Sequence, residues 1–207
     1  MGSPCESTSF INKAHETQRR LSKHIVFKDK LPKKIHLVAG VDVAYHEATS
    51  VGVVAVLATN SLELVESQTA LCATRLPYMP TLLSFREIPP MLRSIKKLQV
   101  QPDLFLVDGQ GFAHPYRCGL ASHLGLILGK PTIGVAKSRL FGEVEIGKIG
   151  DRLLRHEREI LGAEVVTKPR SKPVYVSVGH MISLKTAIRI VKQCTHNTRI
   201  PEPILEH

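Results

Sequence analysis

The sequence predicts one α/β domain built on a mixed sheet with helices on both faces. Three observations carry that expectation. Residues 37–45, 51–59 and 62–72 are three successive strand-like runs separated by short breaks. From Ser84 onwards helical and strand-like segments alternate. The chain has 207 residues, enough for one full core and short for two.

Each element has its own signal. Residues 6–24 set Phe10, Ile11, Ala14 and Leu21 among charges at helical spacing. Residues 47–50 have turn character and Asn60-Ser61 reads as a two-residue hairpin turn, so the three runs form an antiparallel meander. Between Ser84 and Leu98, the side chains Ile88, Met91, Leu92, Ile95 and Leu98 fall on one helical face. Pro89-Pro90 interrupts this pattern, and the helix is expected to restart there with Pro90 near a first-turn position. Residues 104–108 are apolar up to a terminal acid, as in a buried parallel strand. Residues 118–129 read as helix, 132–137 and 174–178 as strands, and 183–195 as an amphipathic helix with Ser183 as N-cap. The charged, poorly periodic stretch 140–172 is expected to form loops and a small hairpin. Residues 1–204 are taken as a single domain, and 205–207 as the remnant of a histidine tag.

Composition narrows the function. Lys and Arg number 28 against 18 Asp and Glu, a net charge of +10, with a pI near 9.6. That balance fits attraction to nucleic acid or another acidic surface; a solvated basic exterior is the weaker alternative. Cys5, Cys72, Cys118 and Cys194 lie far apart with no C-x-x-C pair, which argues against a zinc site and a disulfide scaffold. There is no signal-like or membrane-spanning apolar run, so a cytoplasmic, reduced protein without a membrane partner is expected.

Three carboxylates stand out against this background. Asp42 interrupts the apolar run 38–44, Asp108 ends the run 104–108, and Glu87 sits at the start of the helix that follows Ser84. Keeping a buried carboxylate ionised is costly without a cation. Gly40 and Ala44 leave room beside Asp42 for a metal and a phosphate oxygen, and Gly109 and Gly111 let the backbone beside Asp108 approach a ligand. Mg²⁺ takes a few carboxylates together with waters and substrate phosphates, and supports phosphodiester hydrolysis. Taken singly, Asp42 paired with a lysine, or Asp108 capping a turn, accounts for either acid as well.

Longer motifs carry a resemblance. Val41-Asp42-Val43-Ala44-Tyr45, Pro77-Tyr78-Met79-Pro80 with Leu83-Ser84-Phe85-Arg86-Glu87, and Val107-Asp108-Gly109-Gln110-Gly111-Phe112-Ala113-His114-Pro115 resemble the endonuclease V family. The likeness continues through residues 119–125, 134–137 and 176–180 and closes at 199–203, covering roughly 10–203 in order. It implies a ribonuclease H-like fold and Mg²⁺-dependent cleavage, with Mn²⁺ as a substitute, at the second phosphodiester 3′ of deoxyinosine in DNA. It also implies that Asp42, Glu87 and Asp108 bind the metal and that Lys137 neutralises the scissile phosphate. By the same resemblance His180 orients or deprotonates the attacking water, or assists a second metal. A loop position after residues 174–178 is expected to let its imidazole reach the site.

Pro77, Tyr78, Met79 and Pro80 form a stiff apolar loop, which either packs on the core or enters a base stack as a wedge; the resemblance favours the wedge. Gly109 and Gly111 would supply backbone groups to read a flipped hypoxanthine, with His114 and Ser138 as further nucleic-acid contacts. Two positions depart from the family pattern: Thr81 stands where glycine is common, and Met181 where a basic residue is common. The same chemistry on inosine in RNA is the near alternative, since 2′-hydroxyl contacts cannot be located in a sequence; the compact chain favours DNA. A non-catalytic nucleic-acid-binding module would be expected to lose an acid, and all three are present. A monomer is expected.

Overall fold

The computed structural model describes residues 4–147, 151–196 and 198–205, with side chains from Thr8 onwards. The tag remnant expected at 205–207 therefore lies, from Glu206 on, outside the described residues. Helix α1 (Pro4–Ser22) precedes the antiparallel strands β1 (Leu37–His46), β2 (Thr49–Ala58) and β3 (Leu64–Ala73). Then come α2 (Leu83–Ile95), β4 (Leu104–Asp108), α3 (Leu120–Leu128) and β5 (Thr132–Ala136). The chain closes with β6 (Glu143–Ile146), β7 (Arg152–His156), β8 (Glu159–Val165), β9 (Val174–His180), α4 (Leu184–Gln193) and α5 (Glu202–Leu205).

The nine strands form one sheet in the order β3-β2-β1-β4-β5-β9-β8-β7-β6. The centre, β1-β4-β5, is parallel, and antiparallel strands flank it on both sides. Alternation along the central strands sends side chains to two separate cores. Val38, Leu104, Leu106, Ile133 and Val135 meet Ala187, Ile190 and Val191 of α4 and Ile204 of α5. Ala39, Val41, Phe105 and Val107 meet Ile88 and Met91 of α2 and Leu120, Ala121 and Leu124 of α3. Burial on both faces is what the nearly continuous apolar runs of these strands require. The expected mixed sheet with helices on both faces is present.

Three local expectations are corrected. First, α2 runs without a break through Pro89 and Pro90. The missing N–H groups would have reached Phe85 and Arg86, close to the N-terminal end, and packing of Ile88 and Met91 on the sheet outweighs the loss. Second, β2 and β3 are joined by residues 59–63 rather than by a two-residue turn. The Ala58 N–H donates to the Glu63 carbonyl at 3.0 Å and Leu62 takes φ 59°. A two-residue hairpin turn favours glycine, which this connection lacks. Third, residues 140–172 contain β6, β7 and β8, which extend the sheet by three strands. Glu143, Glu145, Arg152 and Glu159 are exposed, while Leu154, Leu161, Ala163 and Val165 join the core, so the apolar period is diluted. The expected N-cap does form: Ser183 Oγ accepts from the Thr186 N–H.

Gly40 is needed for a different reason from room at the metal site. A side chain there would begin 1.8 Å from the Pro203 carbonyl oxygen, because α5 crosses directly over β1. The space beside Asp42 is therefore filled by protein on this side. Gly40→Ala is expected to destabilise the fold by about 1–3 kcal/mol through overpacking, measured by urea unfolding; an unchanged midpoint would show that the C-terminal segment yields freely.

Candidate active site

The parallel register of β1 and β4 pairs Gly40 with Leu106 and Val41 with Val107. One step further along, Asp42, midway along β1, stands beside Asp108 at the C-terminal end of β4, about 4.8 Å away in the sheet direction. Ligand sites in open α/β sheets lie at such ends. Glu87 reaches the same place from α2 and is buried. Its Oε1 accepts from the Tyr45 hydroxyl at 3.0 Å, while Asp42 Oδ1 accepts from the Val43 N–H at 2.7 Å.

The charges of the three acids reach one another. Burial pushes the Glu87 carboxyl up to about 7; the Tyr45 hydrogen bond pulls it down, and the charges of Asp42 and Asp108 push it up again. Burial, reinforced by the adjacent Glu87 charge, also raises the Tyr45 hydroxyl, which stays protonated as a donor. Lys137 Nζ pairs with Asp108 Oδ2. Burial opposes the Lys137 charge, but the hydrogen bond to Asp108 and the charges of Asp108 and Asp42 outweigh it and hold the ammonium above its ordinary range. Among the described residues no three His, Cys, Asp or Glu side chains are gathered closely enough to hold a metal ion by themselves. The donor set nevertheless fits a hard cation such as Mg²⁺, which binds through one or two carboxylates with waters and phosphates. Asp42, Glu87 and Asp108 are all oxygen donors, and the charges of Asp42 and Asp108 add to the burial that raises Glu87.

Next to the acids lies a cleft of about 230 Å³. Asp108, Gly109, Lys137 and Ser138 line it together with Tyr78, Met79 and Pro80. Pro77 is exposed at the entry to that loop, and Tyr78 is 66% exposed at its tip. His114 also lines the cleft but is buried, and its ring is committed: Nδ1 accepts from the Tyr116 N–H at 3.2 Å, so Nε2 carries the proton and donates to the Thr81 carbonyl at 3.0 Å. Burial lowers His114 to about 4 and keeps it neutral. The contact expected of it is thus to the loop. Thr81 itself has φ 72°, the left-handed region that favours glycine. Its carbonyl also accepts from Gln18 Nε2 at 2.7 Å, and its hydroxyl lies 3.0 Å from His15 Nε2. Two side chains of α1 and one from the Asp108 loop therefore hold a strained residue beside the apolar tip.

Two expectations fail on position. Gly111 does not line the cleft: its N–H donates to Ser177 Oγ at 2.9 Å, and a side chain there would begin 2.2 Å from the Val178 carbonyl oxygen. Glycine is required for packing against β9, and a bulky residue would displace that strand rather than fill a base pocket. His180 is the last residue of β9, not a loop residue. It pairs with Thr132 at the start of β5, whereas Asp108 pairs with Val135, which puts about 10 Å of strand between them. Its Nδ1 accepts from the Val26 N–H at 3.3 Å, and burial, then Lys30, lowers its pKa. The structure does not bring His180 to the acids.

Three residues at the site escaped the sequence. Tyr45 holds Glu87, although it closes the motif that contains Asp42. Arg199 Nη2 donates to the Lys137 carbonyl at 2.5 Å and to the Pro173 carbonyl at 2.8 Å, fixing the backbone that carries the lysine. Gln110 Nε2 donates to the Ser138 carbonyl at 2.9 Å, which fixes the amide orientation; its buried Oε1 has no hydrogen-bond partner.

The endonuclease V family profile matches residues 19–206. The chain belongs to the endonuclease V family. It is 42% identical to endonuclease V of Thermofilum pendens over 195 residues, covering 94% of this chain and 84% of that protein. Its fold is similar to the crystal structure of endonuclease V from Streptomyces avermitilis, with a TM-score of 0.86 and 36% identity, covering 94% of this chain and 88% of that one. Ciona intestinalis endonuclease V, solved as a variant in complex with a 23mer DNA containing an inosine followed by a ribo-adenosine, matches with a TM-score of 0.85 and 35% identity, covering 96% of this chain and 93% of that one. As an endonuclease V this protein has the ribonuclease H-like fold and is a nuclease, a phosphodiester hydrolase. Among the described residues no helix is long and apolar enough to cross a membrane.

Membership gives the raised Glu87 a consequence that can be measured without substrate. With the folded value near 7 and an ordinary value of 4.5, the folded state keeps a proton that the unfolded state releases between those pH values. Stability of the metal-free protein should therefore fall as pH rises from 4.5 through 7, by on the order of 3 kcal/mol. Glu87→Gln should abolish that slope in urea unfolding with a chelator present. Parallel pH slopes for the two proteins would contradict the charge burial described here.

Proposed function

We propose that this endonuclease V is a Mg²⁺-dependent enzyme, with Mn²⁺ as a substitute, that recognises deoxyinosine in DNA. It hydrolyses the second phosphodiester on the 3′ side and leaves a 3′-hydroxyl and a 5′-phosphate, acting in repair of deaminated adenine. The observation that carries this reading is the meeting of Asp42, Glu87 and Asp108 beside Lys137, next to a cleft that the apolar loop also lines. Residues 1–204 are taken as one catalytic domain, acting as a monomer in the cytoplasm.

A divalent cation held by Asp42, Glu87 and Asp108 would supply charge stabilisation at the phosphate and a water acidic enough to attack it. The chain's own residues supply the rest. Tyr45 fixes one oxygen of Glu87, leaving the other to bind. Lys137 stays charged and, when substrate enters, turns from Asp108 to the phosphate oxygens. The water oxygen remains on the 5′-phosphate, and one of its protons ends on the departing 3′-hydroxyl. No proton transfer falls to His180.

Tyr78 at the loop tip fills the gap that an extruded nucleotide leaves in the stack. The cleft is below the volume usual for drug-sized ligands, in keeping with a single base. Hypoxanthine carries an N1–H donor, and the partnerless Gln110 Oε1 is a buried acceptor of the kind that such a donor satisfies. Recognition thus assigns to a side chain part of what Gly111 was expected to supply. A second reading, the same chemistry on inosine-containing RNA, draws support from the ribo-adenosine that follows inosine in the strand bound by the Ciona protein.

Matched labelled strands with one deoxyinosine in DNA or one inosine in RNA separate the two. Cutting one nucleotide beyond deoxyinosine, with Mg²⁺ and lost in Asp42→Ala, is expected; preferential RNA cutting would move the function to RNA, and no cutting of either would reject both. Gln110→Met should lower kcat/KM on the inosine strand roughly fivefold, the worth of one hydrogen bond of about 1 kcal/mol. Unchanged selectivity for inosine over adenosine would remove Gln110 from recognition.

A further inference from the structure

Tyr45 links the three acids to a second groove. Its hydroxyl meets Glu87, and the Arg86 guanidinium lies over its ring at 4.0 Å. Arg86 lines a groove of about 460 Å³ between the end of β3, the segment leading to the apolar loop, and α2. Arg75 and Arg93 line it as well, and no carboxylate does. Among the described residues none of these three arginines forms a close ion pair with a carboxylate, although the Arg86 charge acts on Glu87 and Arg93 Nη1 donates to the Leu71 carbonyl at 3.4 Å. The Arg86 Nε is buried without a hydrogen-bond partner. Three guanidinium groups around one concavity repel one another, and an unsatisfied buried donor adds to the cost. An anion with several acceptor oxygens answers both, and the planar arginine fork matches phosphate.

Position selects which phosphate. Ala73 at the end of β3 pairs with Thr49, which pairs with His46 of β1. The groove therefore lies at the same end of the sheet as the acids, four residues or roughly 13 Å beyond Asp42 along the strand and two strands, about 10 Å, to the side. The resulting ~16 Å is about five nucleotide steps at the ~3.4 Å rise of one strand. Residues 74–76 run directly from the groove into the apolar loop, so a strand engaged by the loop and the acids has the arginines within reach. Phe85 and Pro89 give the groove an apolar side for a sugar ring.

We propose that the Arg75–Arg86–Arg93 groove binds a backbone phosphate of the substrate strand a few nucleotides from the scissile bond. The site rests on the nucleic-acid reading above and adds to it a contact that senses strand length rather than the damaged base. It anchors the strand so that the base cleft and the acids act on one fixed register.

Arg75→Gln and Arg93→Gln, singly and together in an Asp42→Ala background that does not cut, test it. Arg86 is left intact because it neighbours Glu87. Lys192→Gln on α4, which removes one charge on the other face of the sheet, is the control. Binding of a fluorescent single strand of about 20 nucleotides is measured across a salt series, with and without inosine. Each arginine variant should raise Kd several-fold and reduce the salt slope by about 0.7. Both effects should vanish on a strand trimmed to two nucleotides either side of inosine, while melting temperature and the control stay unchanged. Parental slopes in the double variant, the same change in Lys192→Gln, or equal weakening on the trimmed strand would each overturn the groove. Because the contact is to backbone, the slope change is also read on the undamaged strand, so failure of the groove and failure of inosine recognition are distinguishable.

Discussion

Negative charge held among apolar strands is the constraint to which the active-site end of the molecule is fitted. The parallel pairing of β1 and β4 sets Asp42 beside Asp108, and α2 lays Glu87 against them in a position that excludes water. Burial alone would neutralise Glu87, and the neighbouring acids press in the same direction. The protein answers with a hydroxyl donor from Tyr45 and an ammonium from Lys137, whose backbone Arg199 ties to the segment before β9. These groups balance the acids without closing a cage around them. An arrangement of this kind has free energy to release when a hard cation and a phosphate arrive, which is the requirement of a phosphodiester hydrolase.

A second set of constraints is centred on Thr81, beside the apolar loop. A β-branched residue at positive φ is disfavoured by a steric contact that glycine lacks. Here three side chains from two distant parts of the chain, His15 and Gln18 of α1 and His114 of the Asp108 loop, converge on its hydroxyl and carbonyl. Helix α1 is thereby tied to the end of the molecule that holds the acids. The buried, neutral His114 couples the apolar loop to the segment that carries Asp108, so the cleft and the acids keep a fixed relation to each other. The arginine groove extends the same end of the sheet outward along β3, and Arg86 bridges it to Glu87 through Tyr45.

Much of this was legible in the residues, and the failures are instructive. Asp42 and Asp108 announce themselves because an acid inside or at the end of an apolar run is unusual. Glu87 does not, since any amphipathic helix carries such residues; it became a candidate through the motif around it. His180 misled because a histidine after a strand looks available for proton transfer, whereas strand register decides at which end of the sheet it lies. Gly111 misled in a similar way: a glycine beside a catalytic acid invites a ligand, but the atom that occupies its space is the Val178 carbonyl. Pro89-Pro90 reads locally as an interruption, and packing of Ile88 and Met91 overrides it. The strands between 140 and 165 carry exposed charges, so their alternation is weak along the chain.

By itself, then, the sequence determined the mixed sheet with helices on both faces, the meander at its start, the three acids, the lysine and the stiff apolar loop. These follow from local chemistry: apolar periodicity, turn residues, and charges placed where charge is expensive. The tertiary structure alone decided that Tyr45, Arg199 and Gln110 serve the site, that His180 stands apart from it, and that Arg75, Arg86 and Arg93 share one groove. Such facts depend on which residues from separate elements come within hydrogen-bonding distance, and on which end of the sheet each strand's register sets them. No local pattern encodes that, because the energy of each contact belongs to a pair of residues far apart in the chain.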